Sequence, residues 1–340
     1  VIRLAFLGTG WIGRNRMEKM LATDKAEAIA VCDPNSEMAD AARQLAPKAS
    51  LACSLDEILE MKPDGVVIAT PSALHAPQCI KALEAGAAVF CQKPLGRTAA
   101  EVEAVLDVAR SADRLLGVDL SYRRTEAMQA IREQVEGGAL GKIFAADLLF
   151  HNAYGPGNAW FWDPKLSGGG CLIDLGTHLV DLALWLMDFP QVVRAQGRLF
   201  RDGRSPRPDE VEDYALGSLD LANGASVRIA CSWNLSAGTD AVIRASFHGT
   251  GGSAEMRNEN GSFYDFTAEL FEGRQRRTLA SPPDEWGGRA GADWVEKLAA
   301  GARFDQSTSG LVETARALDA LYGRPTAASS GSTPRLATVD

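Results

Sequence analysis

The segment Gly8-Thr9-Gly10-Trp11-Ile12-Gly13 constrains this chain more than any other. It sets three glycines in G-x-G-x-x-G spacing, directly after the apolar run Ile2–Leu7 and at the head of a helix-forming stretch, Trp11–Leu21. Between a strand and a helix that spacing has a mechanical meaning. Gly8 permits the tight turn, Gly10 lets the backbone approach a pyrophosphate, and Gly13 lets the helix pack close to the strand. The free N–H groups of the first helical turn, at Trp11 and Ile12, then favour anionic phosphates. Asp33 ends the next strand, Ala28–Cys32, about 20 residues past Gly13, where an acid binds ribose hydroxyls. It would repel a 2′-phosphate and no arginine directly follows it, so NAD is expected, with NADP the alternative. The competing reading makes the glycines plain turn residues and Asp33 the cap of the following helix.

The rest of the first third repeats the alternation of strand and helix. A helix is expected over Ser36–Ala46, and Ser54 with Glu57 has capping-box spacing. Gly65–Thr70 reads as a strand buried on both faces, and a helix from Ser72 stops at Gly86. Ala88–Cys91, a helix opened by Thr98 and Glu101, and Leu115–Val118 complete the series. Six short strands, five of them located above, joined by helices predict a parallel, doubly wound sheet of Rossmann type over residues 1–120. Beyond it the period changes to that of half-covered strands: Phe144–Phe150, Val192–Leu199, Tyr214–Leu219, Ser226–Cys231 and Ala241–Phe247. With helices at Met128–Val135, Trp294–Ala300 and Leu311–Leu321, residues 121–340 are expected to form a second α/β domain. Its core would be a large, mostly antiparallel open sheet. The tail Ala327–Thr333, rich in Ser, Ala and Gly, is expected to be poorly ordered.

Composition narrows the function classes. A length of 340 residues suits two domains, and 46% apolar residues suit real cores. The net charge of −9, with both signs interspersed, argues against a nucleic-acid or anionic-membrane partner. The six cysteines form no C-x-x-C pair, so reduced buried thiols are expected, with no metal site and a cytoplasmic location. No uninterrupted apolar run reaches the roughly 18 residues of a membrane span, and the chain opens on a strand with no leader expected within it.

The chemistry should sit at the carboxyl edge of the parallel sheet. One strand there ends in Ala69-Thr70-Pro71, with His75 soon after, and the next in Cys91-Gln92-Lys93-Pro94-Leu95. A lysine at that edge points towards a bound cofactor. Further on, Gly168-Gly169-Gly170 precedes Cys171-Leu172-Ile173-Asp174-Leu175-Gly176-Thr177-His178. The glycines would let the backbone pass close to a ligand. Asp174 and His178 are four apart, so on a helix they share a face, and a histidine beside a carboxylate suits a general base. Taken one at a time, Lys93 could equally be a surface lysine and His178 a structural histidine.

Together these segments, with Tyr122-Arg123, resemble the glucose–fructose oxidoreductase and inositol dehydrogenase (Gfo/Idh/MocA) family over nearly the whole chain. The resemblance implies a Rossmann domain and a sheet domain that builds homodimers or homotetramers. It implies hydride exchange between a nicotinamide and a carbinol carbon, commonly of a sugar or cyclic polyol. By motif, Lys93 matches the lysine that hydrogen-bonds the reacting oxygen, His178 the proton acceptor, and Asp174 the residue that orients it or binds substrate. Thr70, Pro71, His75, Gln92 and Lys93 fall on the cofactor side. The usual motif is Glu-Lys-Pro, and Gln92 departs from it. Without an adjacent carboxylate, Lys93 is expected to hold its proton less tightly.

The segment His151–Asp163, with Trp160 and Trp162, suits either stacking on a sugar-like ring or packing against the sheet or a neighbouring subunit. Tyr122, Arg123 and Trp233 are further candidates for the substrate pocket. Arg123 would pair with an anionic ligand group or with an acidic neighbour. Two other functions fit the same residues less directly: a redox-neutral NAD-dependent glycosidase, and a dinucleotide-sensing regulatory protein.

Overall fold

The computed structural model describes residues 1–325, so the expectation for Ala327–Thr333 lies outside the described residues. The first part runs β1 (Ile2–Leu7), α1 (Trp11–Leu21), β2 (Ala26–Cys32), α2 (Ser36–Leu45), β3 (Ser50–Leu51), α3 (Leu55–Glu60), β4 (Gly65–Ile68), α4 (Ser72–Glu84), β5 (Ala88–Cys91), α5 (Ala99–Ala112) and β6 (Leu116–Val118). Its strands pair in the order β3-β2-β1-β4-β5-β6, all parallel. This is the doubly wound Rossmann sheet, with its switch point between β1 and β4. Every residue of β4 and β5 is buried, which is why they read as unbroken apolar runs. The two-residue β3 carries no such run, and the sequence did not locate it.

The second part runs α6 (Glu126–Glu136), β7 (Ile143–Asn152), α7 (Pro164–Ser167), α8 (Thr177–Leu186), β8 (Val192–Phe200), β9 (Tyr214–Leu221), β10 (Ser226–Ser232), β11 (Ala241–Gly249), β12 (Ser253–Asn258), β13 (Phe266–Glu272), β14 (Gln275–Ala280), α9 (Arg289–Ala299) and α10 (Gly310–Leu321). Its eight strands lie in the order β14-β13-β12-β11-β7-β10-β9-β8, antiparallel except for β7 beside β10. The expected mostly antiparallel sheet is therefore present and larger than the sequence suggested. Strands β12 to β14 escaped because charge replaces apolar residues on them: Glu269 is buried between Arg257 and Arg276.

The six parallel strands lie within residues 1–120, but helices from the chain's end close both faces of that sheet. Trp294 of α9 packs 5.8 Å from Phe90 (ring centroids) and fills room left by Gly65 and Gly117. A Cβ at either glycine would come within 2.6 Å of the indole. On the other face Ala315 of α10 joins the core under α4 and α5. The stretch Pro164–Leu186 is long and apolar enough to cross a membrane by length and composition, yet 89% of its most apolar window is buried inside the protein. It forms the core under the large sheet.

Helix α10 reaches the large sheet at Gly197 of β8, where an added Cβ would lie 1.9 Å from the carbonyl oxygen of Leu321. Gly197 cannot move away without disturbing the pairing of β8 with β9. Gly197→Ala is expected to destabilise the fold by about 2 kcal/mol or more. Urea denaturation followed by circular dichroism would read this, and an unchanged midpoint would show that α10 docks elsewhere.

Candidate active site

The glycine turn is built as its spacing requires. Gly8 has φ +84°, and a Cβ there would lie 2.5 Å from the Ala69 oxygen, so this turn also abuts the end of β4. A Cβ on Gly13 would lie 2.2 Å from the Gly8 oxygen. Gly10 differs: a Cβ there would meet nothing within 4 Å, and the helix start has no side-chain cap. The space over Gly10 and the uncapped N–H groups at Trp11 and Ile12 fit a dinucleotide pyrophosphate. Asp33 Oδ2 accepts from the Thr9 N–H at 2.6 Å, tying the turn to β2. The α2 cap is Asn35, which accepts from Glu37 and Met38, so Asp33 is not needed for that task.

Thr70 and Pro71 follow β4 directly, and the Thr70 hydroxyl lies 2.6 Å from Gln78 Oε1. His75 does not present a free nitrogen to a cofactor. It is buried, with its ring nitrogens 2.7 Å from the carbonyl oxygens of Pro94 and Thr70, and it stitches the two edge loops together. Burial lowers its pKa, against the raising pull of those two carbonyls.

Lys93 Nζ donates to Asp174 Oδ1 at 2.6 Å and to the Asp174 backbone oxygen at 2.9 Å. The premise that Lys93 lacks a neighbouring carboxylate therefore fails. Asp174 Oδ2 accepts from the Trp233 indole at 3.1 Å. The shared α-helical face of Asp174 and His178 is also corrected. Leu172–Gly176 is a π-turn, and this wider turn precedes α8, so Asp174 turns to Lys93 instead. His178 is buried against Tyr122, with ring centroids 4.7 Å apart. Its pKa lies well below the ordinary histidine value, first through burial and then through the charges of Lys93 and Arg16.

The three glycines serve the protein's own packing. Gly168 and Gly169 have positive φ, and a Cβ on Gly170 would lie 1.9 Å from the Glu212 oxygen. Buried Glu212 accepts, through one carboxylate oxygen, from the N–H groups of Gly170 and Leu172 and from the Tyr322 hydroxyl. That hydroxyl in turn accepts from the Ile173 N–H at 3.1 Å. Glu212 and Tyr322 thus fix the turn that carries Asp174, and neither stands out in the sequence.

Other candidates separate by strand period. Phe150 faces Tyr122 and His178, so His151 lies on the opposite face of the sheet, hydrogen-bonded to Ser232 and stacked on Tyr214. Asn152, one further along, returns to the Tyr122 side; it belongs to the segment His151–Asp163 but did not stand out within it. Arg123 pairs with buried Asp181 and lies over the Trp185 and Phe189 rings, so the acidic-neighbour alternative is the one observed. Burial holds the Asp181 carboxyl above its usual range despite that pairing. Trp162 packs on Trp233 at 5.0 Å under Arg201, and Trp160 stacks on Phe161 at 3.8 Å. These aromatics pack within the protein.

A cavity of about 350 Å³ opens between α1 and the large sheet, lined among others by Trp11, Asn15, Arg16, Tyr122, Asn152 and Trp286. Asn152 Oδ1 is buried there without a partner. The cavity approaches His178 through Tyr122, whose hydroxyl pKa is raised by burial.

The glycine turn, the sheet order and the edge lysine define a dinucleotide-binding Rossmann enzyme. Residues 2–120 match the family described as "Oxidoreductase family, NAD-binding Rossmann fold", and residues 128–255 match "GFO/IDH/MocA C-terminal domain". The chain belongs to the Gfo/Idh/MocA family and is an NAD(P)-dependent dehydrogenase or reductase. It is 30% identical over 272 residues to the D-glucoside 3-dehydrogenase of Escherichia coli (strain K12), covering 75% of this chain and 77% of that protein. Its fold is similar to that of a levoglucosan dehydrogenase complexed with NADH and levoglucosan, with TM-score 0.81 at 23% identity over 95% and 96% of the two chains. A 3-ketoreductase from Actinomadura kijaniata, complexed with NADP and TDP-benzene, gives TM-score 0.80 at 18% identity over 95% and 97%.

Tyr322→Phe removes the hydroxyl that donates to Glu212 and accepts from Ile173. It is expected to cost about 1–3 kcal/mol, because buried partners are left unsatisfied. Chemical denaturation would read the loss, and a neutral result would mean that the Asp174 turn is held by other contacts.

Proposed function

We propose that this enzyme is an NAD-dependent sugar dehydrogenase acting on a secondary hydroxyl of a pyranose or glycoside. The observation that carries this reading is the Lys93–Asp174 pair beside a buried histidine whose pKa favours the neutral form. The relatives named as acting on a glucoside and on levoglucosan support the substrate class.

The nicotinamide, when bound, accepts or returns the hydride. Gly8, Gly10, Gly13, Trp11, Ile12 and Asp33 would hold the dinucleotide, with Thr70, Pro71 and Gln92 along the sheet edge. Lys93 would donate to the reacting oxygen and stabilise negative charge developing on it. Asp174 orients that ammonium. His178 would take the hydroxyl proton as the carbon–hydrogen bond yields its hydride. In the reducing direction the same groups return the proton to the carbonyl oxygen.

Three measurements test this reading. Gly10→Ala should leave the thermal midpoint nearly unchanged, since its Cβ meets no protein atom, yet weaken NADH binding at least about tenfold by blocking pyrophosphate approach. Unaltered NADH affinity would move the pyrophosphate off this turn. In a turnover assay, wild-type reduction of NAD⁺ with a panel of glycosides, aldoses and inositols, with Lys93→Ala as control, identifies the sugar. Glycoside hydrolysis without NADH build-up would instead reveal a redox-neutral glycosidase.

The third is a pH titration. Because burial, Lys93 and Arg16 lower the His178 pKa, the ring should stay neutral as pH falls through about 6.5. The acid limb of kcat/KM should then lie below that value. In the nuclear magnetic resonance titration of His178, Lys93→Met should shift the midpoint upward. A wild-type midpoint at or above the ordinary value would show that burial, Lys93 and Arg16 do not set the charge of His178.

A further inference from the structure

Gln92 and Asp119 stand side by side because β5 and β6 are parallel and in register, Cys91 opposite Val118. Each therefore occupies the first position past its strand, and the Asp119 N–H donates to the Cys91 oxygen at 2.9 Å. Asp119 Oδ2 accepts from Gln92 Nε2 at 2.6 Å and from Arg16 Nε at 2.6 Å. Arg16 reaches in from α1, and its exposure of 6%, with 1% for Asp119 and 8% for Gln92, leaves the triad almost dry. Asp119 Oδ1 is buried with no partner at all, alone in this among carboxylate oxygens of the described residues. An amide oxygen would accept the two bonds to Oδ2 as well, so what a carboxylate adds here is its charge.

Charge balance gives those bonds a direction. Around Lys93 the structure sets two cations, Arg16 and Lys93, against two anions, Asp119 and Asp174. A carboxylate at position 92 would bring a third anion into contact with Asp119, and in so dry a place one of the two would have to hold a proton. A carboxylate at 92 with a neutral residue at 119 would restore the balance.

We propose that positions 92 and 119 hold a single carboxylate between them, and that Asp119 is the positioning residue that fixes Arg16 and the Gln92-Lys93 edge in this chain. The departure at Gln92 is then half of a paired exchange, and the charge has moved one strand across the sheet. Asp119 touches neither substrate nor the reacting atoms. It acts through Arg16, which lines the cavity beside α1, and through Gln92, whose neighbour Lys93 carries the proposed chemistry. The inference rests on the reading of Lys93 given above.

The test compares wild type, Gln92→Glu, Asp119→Asn and the double variant Gln92→Glu/Asp119→Asn. The readouts are thermal midpoint, NADH dissociation constant, and kcat and KM on the sugar that wild type oxidises. Each single variant should lower the midpoint and reduce kcat at least about tenfold, with KM moving less than about threefold. The double variant should regain most of both losses, the non-additivity expected of residues in direct contact. Losses that simply multiply in the double variant would overturn the proposal, as would a Gln92→Glu protein indistinguishable from wild type. If Asp119→Asn does not fold, the double variant must still exceed Gln92→Glu in midpoint, and a lower midpoint refutes the exchange. A wild type that binds NADH but oxidises no sugar would sink the substrate reading alone. The midpoints and NADH affinities of the four proteins would still decide the paired exchange.

Discussion

The ion pair between Lys93 and Asp174 is the interaction on which the rest of the site depends. Its partners are 81 residues apart, one at the edge of the parallel sheet and the other on the turn before α8. Both side chains are mostly buried, 19% and 16% exposed. A lone ammonium in that position would be strongly disfavoured, so each group requires the other. The pair therefore ties the sheet that carries the cofactor turn to the one that walls the cavity. It also leaves Lys93 with hydrogen-bonding capacity beyond the two contacts it makes with Asp174.

What fixes the pair is backbone geometry more than side-chain attraction. The π-turn swings Asp174 out of α-helical register with His178, and Glu212 with Tyr322 holds the amides that start the turn. The glycines at 168 to 170 are needed because Arg97, Tyr322 and Glu212 press on that backbone from several sides. A side chain at any of them would displace the turn and, with it, Asp174. The Trp233 indole then fixes the second carboxylate oxygen, so one residue gains its orientation from two elements of the large sheet domain. The carboxylate is oriented before any ligand arrives, which is the condition for electrostatic stabilisation without reorganisation.

The sequence was most legible where structure is local. Gly8, Gly10 and Gly13 act within one turn, and their separate tasks follow from spacing alone. Strands β4 and β5 announced themselves because both faces are buried. Legibility failed where a residue's partner is distant in the chain. Nothing near Glu212 points to Gly170, and nothing near Gln92 points to Asp119 or Arg16. It failed also at a change of period. Four-residue spacing misled at Asp174 and His178 because the helix is locally wider, and reading His151 without its strand phase put it on the wrong face. Asn152 could have been found by that same alternation, counting from Phe150.

The environment of His178 bears on how a proton would move under the proposed roles. Among the described residues no side chain hydrogen-bonds this histidine. Its surroundings are aromatic rings, and the charges acting on it are cationic. Such a ring is a weaker base than an ordinary histidine and a poor place for a proton to rest. A weak base suffices only if the hydroxyl it serves has been made more acidic, and under the proposed roles Lys93 would do this by stabilising the developing alkoxide. A cation that acidified the substrate hydroxyl in this way would also hasten the proton's departure from His178. Lowering the histidine pKa and stabilising the alkoxide are thus two effects of one charge arrangement, and each would lose its purpose without the other.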